Sequence, residues 1–147
     1  MTLKERIVEE MKAAMREKDA VRLESIRLLR AAIQRREVDD RVELDDDEVL
    51  AVVQKLVKQG RDSITQFEAG GRPDLVEKEA SNIAVLETYL PEQLSGEELA
   101  RAVEDALQEA GATSIREMGK VMGALKQKLQ GRADMGAVSA LVKQRLS

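Results

Sequence analysis

The sequence predicts an all-α protein, with four helices in residues 1–90 and three in residues 91–147. Three observations support this prediction. Apolar residues recur at intervals of three and four, the spacing of a helix that buries one face. No stretch alternates apolar and polar residues as a half-buried strand does. The hydrophobic residues, 43% of the chain, are nearly all aliphatic because aromatic residues make up only 1%, which favours a helical aliphatic core.

The first two helices are predicted from their N-terminal caps. Thr2 and Glu5 fit a capping box, in which each side chain accepts a hydrogen bond from a backbone N–H of the first turn. Asp19 can cap a second helix that runs to about Glu37, and the segment VDDRVEL after it predicts a connector. Their apolar stripes are Leu3, Ile7, Met11 and Ala14 in the first helix and Leu23, Ile26, Leu29 and Ile33 in the second.

The third and fourth helices are separated by the segment EAGGRP. Asp45 with Glu48 predicts a cap similar to a capping box for a long third helix. Pro73 suits the first turn of the fourth helix, where its missing N–H costs nothing, and that helix is predicted to end near Tyr89. The stripe of the third helix consists of Val49, Val52, Val53, Leu56 and Ile64.

The segment YLPEQLS, residues 89–95, predicts the boundary between the two subdomains. Pro91 disfavours a helical conformation at Leu90, so the chain leaves the fourth helix there. Three helices follow. Their predicted caps are Ser95 with Glu98, Ser114 with Glu117, and Asp134, and their predicted ends are Gly111, Gly131 and Leu146.

Missing residue types narrow the possible chemistry. Cysteine and histidine are both absent, which excludes disulfides, thiolate metal sites and the commonest general base. We therefore predict no cofactor, no metal site and no catalytic residue. No apolar run approaches the roughly 20 residues that span a bilayer, and the N-terminus lacks the apolar stretch of a signal peptide. A cytoplasmic location without membrane contact is the default expectation.

Charge is distributed unevenly along the chain. The net charge is −4, but residues 119–147 hold six basic residues and one acidic residue, a local charge of +5. The tail from residue 119 is therefore a basic patch on an acidic protein, a distribution that favours contact with an anionic partner.

Within this tail, the sixth helix is predicted to expose two glycines between lysines. At about 100° per residue, its aliphatic residues form one continuous core stripe, and Gly119 and Gly123 fall just beside it. Lys126 and Lys120 flank the two glycines on the helical wheel. A surface without side chains between two cations admits either another packed helix or a phosphodiester backbone.

A second anion-binding spot is predicted after the sixth helix. Gly131 is best explained as a helix stop, so Arg132 lies in the loop before the N-terminus of the seventh helix. That end of a helix carries unpaired N–H groups and the positive end of the helix dipole, and Arg132 beside it adds a cation.

Five ordered motifs across the chain resemble the GatB/YqeY family. They are RLxxIRLLRAAI (residues 22–33), VKQxRDSIxxF (57–67), DLVEKE (74–79), YLPEQLS (89–95) and MGKVMGAL…GRAD (118–134). The same domain ends the B subunit of the tRNA-dependent Asp/Glu amidotransferase, and a related helical region begins glutaminyl-tRNA synthetase. The resemblance implies an N-terminal helical bundle followed by a small three-helix C-terminal subdomain.

The resemblance also implies a role for the tail, which in the amidotransferase touches the tRNA body and does not carry the chemistry. The resemblance and the helical wheel together predict that the RNA-binding residues are Gly119, Lys120, Gly123, Lys126, Lys128, Gly131 and Arg132. The chain departs from its relatives at three places. They often carry arginine where this chain has Gly60, a proline near Gln127, and glycine where this chain has Met135.

Three functions remain open from the sequence. The first is a tRNA-binding accessory module in translation, and the second is a protein-docking module of an amidotransferase or aminoacyl-tRNA synthetase complex. The third is an amidotransferase-associated carbon–nitrogen ligase activity, with glutamine as amido-N-donor, that needs a partner subunit. Autonomous catalysis is disfavoured because no Walker-type phosphate loop, amidase-type serine loop or cysteine nucleophile is present. The scarcity of aromatic residues favours a folded RNA body over stacked single strands.

Overall fold

The computed structural model describes all 147 residues, and it contains helices and no strand. The all-α prediction is confirmed. The helices are α1 (Leu3–Glu17), α2 (Ala20–Asp40), α3 (Asp46–Ala69), α4 (Pro73–Glu87), α5 (Gly96–Ala110), α6 (Met118–Lys128) and α7 (Met135–Leu146), with a 3-10 turn at Ile115–Glu117. The chain forms two compact units, Met1–Leu90 and Pro91–Ser147. None of the helices combines the length and the apolar character needed to span a bilayer.

Two of the predicted capping boxes form with both of their hydrogen bonds. Thr2 Oγ1 accepts from the Glu5 N–H, and the Glu5 carboxylate accepts from the Thr2 N–H, each at 3.2 Å. Ser95 and Glu98 exchange the same pair of hydrogen bonds at 3.1 Å each. Helices α1 and α5 therefore begin where the sequence predicted, because a local side-chain pair satisfies N–H groups that the helix leaves unpaired.

Helix α2 is longer than predicted, since it continues to Asp40 and not only to about Glu37. Arg36 pairs with Asp40 one turn later, at 3.4 Å, which supports the extra turn. The helix ends at Arg41, which takes a left-handed conformation. The connector is thus shorter than the segment VDDRVEL that predicted it.

The start of α6 also differs from the prediction. Ser114 makes no capping hydrogen bond, and residues 115–117 form a 3-10 turn before the α-helix begins at Met118. The Glu117 carboxylate instead accepts from the Thr113 N–H at 3.1 Å. Glu117 therefore accepts a backbone hydrogen bond as a capping box requires, but the donor is the N–H of Thr113 and not that of Ser114, the predicted cap.

The N-terminal unit packs α1–α4 around one aliphatic core. Helix α3 packs along α4, α1 along α2, and α2 also contacts α3 and α4. The buried residues of this core are Ile7, Ile26, Leu29, Ile33, Leu44, Val49, Val52, Val53, Val57, Ile83, Leu86 and Tyr89. Leu56 and Ile64, predicted on the α3 stripe, are partly buried against it.

Tyr89 closes this core from the end of α4. It is the only tyrosine in the chain, and its side chain is buried. The Arg6 guanidinium lies 5.0 Å from the centre of its ring, within the range of a cation–π contact. Burial, and then the neighbouring Glu10 carboxylate, raise the pKa of the Tyr89 hydroxyl, so it stays neutral at all ordinary pH values.

Gly60 lets α3 and α4 approach closely. It is buried, and a Cβ at this position would lie 2.9 Å from Ile83 Cγ1 and 2.9 Å from Glu79 Oε1. Such distances require a neighbour to move. Relatives often carry arginine at this position. In this chain α3 and α4 leave no room there for a side chain, so glycine is needed for their close packing.

One buried hydroxyl joins α2 to α4. Ser25, the only buried polar residue, has its Oγ 3.0 Å from the Val21 carbonyl and 2.7 Å from the Asn82 side-chain amide. The hydroxyl has one proton, so at any moment it donates either to the Val21 carbonyl or to Asn82 Oδ1, both of which are acceptors within hydrogen-bond distance.

The C-terminal unit packs α5, α6 and α7 around a second aliphatic core. Each of the three helices contacts the other two. The buried residues are Val103, Ala106, Leu107, Val121, Leu125, Leu129, Ala133, Val138, Val142 and Leu146. The predicted core stripe of the sixth helix is represented here by Val121, Leu125 and Leu129.

We expect Gly60→Ala to destabilise the N-terminal unit by about 1 kcal/mol. Overpacking against Ile83 costs about 1–3 kcal/mol, which exceeds the roughly 1 kcal/mol that alanine gains over glycine in a helix. Urea unfolding followed by Tyr89 fluorescence measures this unit. Gly119→Ala, in the C-terminal unit at a position where a Cβ meets open space, is the control and should leave the Tyr89 transition unchanged. An unchanged or higher unfolding midpoint for Gly60→Ala would contradict the close approach of α3 and α4.

A second prediction concerns Glu37. Its carboxylate accepts from Lys4 Nζ at 2.8 Å and from the Leu44 N–H at 2.9 Å, and these contacts lower the pKa of Glu37 below its ordinary 4.5. The stabilisation is therefore complete above about pH 4.5 and is lost as the pH falls through the lowered value.

Glu37→Gln should destabilise the N-terminal unit by about 1 kcal/mol at pH 7, and the difference from wild type should shrink below about pH 4.5. Urea unfolding at a series of pH values, followed by Tyr89 fluorescence, makes the comparison. Glu68→Gln, an exposed residue of α3, is the control and should unfold as wild type does throughout. A pH-independent effect of Glu37→Gln would show that the ion pair contributes nothing.

Candidate nucleic-acid interface

The rotation of α6 about its axis decides which residues the candidate interface contains. Val121 and Leu125 have no exposed surface, and Met118 and Met122 are partly buried against the same core. The opposite side of the helix faces solvent. We call this side the α6 outer face; it consists of Gly119, Lys120, Gly123, Ala124, Lys126 and Gln127, all of which are exposed.

The two glycines of the α6 outer face have no packing role within the C-terminal unit. A Cβ placed on Gly119 or on Gly123 would meet no atom within 4 Å. The sequence left open whether these glycines serve helix packing or leave room for another molecule. Internal packing is excluded by the open space around both positions. Glycine also costs stability in a helix, by about 1 kcal/mol relative to alanine, and nothing inside this chain offsets that cost.

The lysines of the tail divide into two kinds. Lys120 and Lys126 are exposed on the α6 outer face and form no ion pair with another residue. Lys128, in contrast, places Nζ 3.1 Å from the Glu109 carboxylate of α5. Its charge is partly compensated within the unit, although both side chains remain more than half exposed. Of the predicted lysines, the two beside the glycines carry the uncompensated positive charge.

Gly131 and Arg132 lie in a loop that the segment YLPEQLS holds in place. Gly131 is buried and takes φ +75°, a conformation that glycine adopts without strain. Its carbonyl accepts from Gln93 Nε2 at 2.6 Å, and the Arg132 carbonyl accepts from the Leu94 N–H at 3.0 Å. Gly131 is therefore a structural residue, and it is not available to a ligand.

The Arg132 side chain has internal partners as well. Its Nε donates to the Glu92 carbonyl at 3.2 Å, and its side chain is partly buried. The pKa of Glu98 is lowered, first by hydrogen bonds from Ser95 and further by the positive charges of Arg132 and Arg101. Arg132 thus acts mainly inside the unit, where it links the loop before α5 to the loop before α7.

The second predicted anion spot, at the N-terminus of α7, is filled by the chain itself. The Asp134 carboxylate accepts from the Gly136 N–H at 3.2 Å and so caps the helix. A carboxylate at this position satisfies the free N–H group and repels an incoming anion. The cap that the sequence predicted for α7 therefore occupies the place where the sequence also predicted an anion.

The seven predicted RNA-binding residues do not form one surface. Four of them, Gly119, Lys120, Gly123 and Lys126, share the α6 outer face, while Lys128, Gly131 and Arg132 are engaged by residues of α5 and of the YLPEQLS segment. Sequence reasoning missed Gln93, whose side chain holds the Gly131 carbonyl. The available signal was that both YLPEQLS and GRAD are motifs of one family, although nothing in the sequence indicated that they touch.

The acidic segment ELDDDE, residues 43–48, serves helix capping and tertiary contact. Asp45 accepts from the Glu48 N–H at 2.9 Å, and Asp46 accepts from the Leu3 N–H at 2.9 Å. No group of three or more acidic side chains is arranged to hold a metal ion. Arg61 of α3 likewise has a structural partner, since it pairs with Glu87 of α4 at 3.1 Å. Capping and contacts between helices thus account for these charged residues.

Comparisons with known proteins identify relatives over nearly the whole chain. A family profile described as "Yqey-like protein" matches residues 4–146. Three fungal proteins named "Altered inheritance of mitochondria protein 41, mitochondrial" are similar to this chain. Those of Kluyveromyces lactis, Pyrenophora tritici-repentis and Eremothecium gossypii are 40%, 31% and 36% identical over 55%, 82% and 71% of this chain. The alignments cover 44%, 70% and 59% of those proteins.

These names contradict the cytoplasmic location expected from the sequence, because all three relatives are described as mitochondrial. The expectation rested only on the lack of a spanning segment and of an apolar leader. Such absences do not specify a compartment, so the expectation was wrong as a default.

We expect Gly123→Ala to raise the stability of the C-terminal unit by about 0.5–1 kcal/mol. The residue lies inside α6, and an added methyl group meets open space, so only the helix propensity changes. Thermal unfolding of residues 91–147 within the full chain, followed by the amide signals of α6 in NMR spectra, measures the effect. Gly131→Ala is the contrasting variant and should destabilise, because φ is +75° there. A loss of stability in Gly123→Ala would show that this face packs internally after all.

Proposed function

The chain belongs to the YqeY-like family, and we propose that this protein is a tRNA-binding accessory module whose α6 outer face contacts the RNA backbone. The observation that carries the proposal is the pair of exposed glycines between two lysines that have no partner in the chain. A phosphodiester backbone can approach the helix over Gly119 and Gly123, and its phosphates then meet Lys120 and Lys126.

The mode of recognition follows from the composition of this face. Lysines bind phosphates as point charges and carry no direct information about base sequence. No aromatic side chain lies on the face, so stacking on unpaired bases is not available. The face therefore suits the phosphate and sugar backbone of a folded RNA, which A-form helices present across a wide, shallow groove. The resemblance to the amidotransferase tail, which touches the tRNA body, supports tRNA as the RNA.

The acidic remainder of the protein supports one orientation of binding. The net charge of the chain is −4, although the tail from residue 119 carries a local charge of +5. Repulsion between the other surfaces and the RNA disfavours indiscriminate coating, and attraction to the tail steers the encounter. With two principal phosphate contacts, the affinity should be modest and should fall with salt.

A protein-docking module is the second candidate function. The same open glycines allow the backbone of a partner helix to pack closely against α6, because small residues four apart permit short interaxial distances. The partner would be a subunit of an amidotransferase or aminoacyl-tRNA synthetase complex. An amidotransferase-associated carbon–nitrogen ligase activity would then belong to the assembled complex, with this chain contributing a binding surface to it.

Lys120→Ala/Lys126→Ala should weaken tRNA binding at low salt by about tenfold or more, equally for different tRNAs. It should also flatten the dependence of log K on log salt by about 0.9 for each phosphate that the variant no longer neutralises. Fluorescence anisotropy with labelled tRNA across a salt series measures both quantities. Lys128→Ala should have a smaller effect, because that lysine already pairs with Glu109.

The charge-matched control is Arg27→Ala/Lys55→Ala, which removes two exposed cations from the N-terminal unit and should leave the salt slope unchanged. Equal affinities and slopes for wild type and Lys120→Ala/Lys126→Ala would refute RNA binding by the α6 outer face. If Gly123→Leu then prevents co-elution with a purified amidotransferase or synthetase, the docking function is the better account.

A further inference from the structure

A cleft of about 340 Å³ lies between α1 and α2 in the N-terminal unit, remote in sequence from the α6 outer face. Its apolar wall consists of Val8 of α1, which is partly exposed, together with Ile7 of α1 and Ile33 of α2, which are buried in the core. This volume is at the lower end of the range for small-molecule pockets, which is about 300–1,000 Å³. The cleft is therefore large enough for a small ligand with an apolar body.

Polar side chains stand at both ends of this cleft. Lys4 of α1 meets Glu37 of α2 at 2.8 Å, and Met11 of α1 meets Arg30 of α2 at 3.3 Å. Lys4 lies near the start of α1 and contacts Glu37 near the end of α2. Met11 lies further along α1 and contacts Arg30, which lies earlier in α2, so the two helices are antiparallel. The Lys4–Glu37 pair thus closes one end of the cleft, and Arg30 stands toward the other.

Arg30 is the one charged residue around the cleft that lacks an ionic or backbone partner. The other charged side chains that line it are engaged within the chain: Lys4 with Glu37 and Glu43, Glu5 with the Thr2 N–H, and Glu9 with Lys12. The Arg30 guanidinium donates only to Met11 Sδ, at 3.3 Å. A thioether is a weak acceptor, and a guanidinium offers five N–H donors.

Arg30 differs from the other arginines of α2 in its burial and its partners. Arg27 and Arg35 of the same helix are exposed, so water satisfies their donors, whereas Arg30 is partly buried. Arg36, also partly buried, has carboxylates of both Asp40 and Glu48 as partners. A partly buried guanidinium beside an apolar wall favours an anion that brings its own acceptors into the cleft.

We propose that this cleft binds a small monocarboxylate with a hydrocarbon body, with the carboxylate on Arg30 and the hydrocarbon chiefly against Val8, the partly exposed residue of the apolar wall. A carboxylate matches the planar fork of a guanidinium with two parallel hydrogen bonds. The hydrocarbon body replaces water against the apolar wall, which stabilises the complex in proportion to the area covered.

The surrounding charges favour a single negative charge on the ligand. Glu5, Glu9 and Glu37 also line the cleft, and their carboxylates repel an anion. A phosphate dianion carries two negative charges, so these carboxylates would repel it about twice as strongly, and Arg30 would neutralise only one of its charges. A monocarboxylate carries the charge that one guanidinium neutralises. This site goes beyond the proposed RNA contact and does not depend on it.

The experiment titrates the full-length protein with octanoate and follows backbone amides by two-dimensional NMR. We expect saturable shifts confined to α1 and α2 around Ile7, Val8 and Ile33. Two probes separate the parts of the ligand: 1-octanol keeps the hydrocarbon without the charge, and acetate keeps the charge without the hydrocarbon. Each should bind at least about tenfold more weakly than octanoate, because a hydrogen-bonded charge and a buried hydrocarbon both contribute.

Arg30→Gln should weaken octanoate binding by at least about tenfold, since it removes the charge and the bidentate fork. Arg27→Gln, an exposed position on the same helix, is the matched control and should bind octanoate as wild type does. Equal binding of octanoate and 1-octanol, wild-type affinity in Arg30→Gln, or shifts outside this cleft would each overturn the proposal.

Val8→Trp provides an independent variant in case Arg30→Gln does not fold. It fills the cleft with an indole ring and leaves Arg30 in place, so it should abolish octanoate binding. The circular dichroism spectrum of each variant establishes whether the helices are intact. A folded Val8→Trp protein that still binds octanoate with wild-type affinity would overturn the proposal by itself.

Discussion

The burial of one aliphatic stripe on α6 determines what the C-terminal unit presents to other molecules. Val121 and Leu125 are enclosed by α5 and α7, so the helix cannot rotate without exposing them to water. The opposite side must then face solvent, and it carries Gly119, Gly123 and the uncompensated lysines. A surface that consists of backbone and two cations thus follows from hydrophobic packing on the other side of the same helix.

Not every positive charge in the C-terminal unit is available to a binding partner. The tail from residue 119 carries a charge of +5, but Lys128 and Arg132 already have partners in α5 and in the YLPEQLS segment. Gln93 and Arg132 bind this segment to the loop before α7 and hold Gly131 in its turn. These residues shape the unit, while Lys120 and Lys126 remain for a partner. One motif can therefore combine structural and binding residues within a few positions.

The N-terminal unit combines an aliphatic core with a few specific polar contacts. Buried Ser25 of α2 lies within hydrogen-bond distance of Asn82 Oδ1 of α4, and the Glu37 carboxylate links the connector after α2 to α1. Every buried polar side-chain atom has a hydrogen-bond partner, as stability requires. The partly buried Arg30 is the informative case, because its only acceptor is a thioether. An underused donor beside an apolar cleft indicates ligand chemistry that neither the composition nor the motifs of the chain revealed.

The helices could be predicted from sequence because caps and apolar spacing are local: Thr2 with Glu5, Ser95 with Glu98, and Gly111 mark helix ends through neighbours within four residues. The sequence also placed Gly119 and Gly123 beside the core stripe, since a helix has a fixed period. Contacts between distant segments could not be predicted in this way. That Gln93 holds Gly131, that Gly60 meets Ile83, and that Arg30 has only a thioether as acceptor all depend on packing, which brings together atoms far apart in the chain.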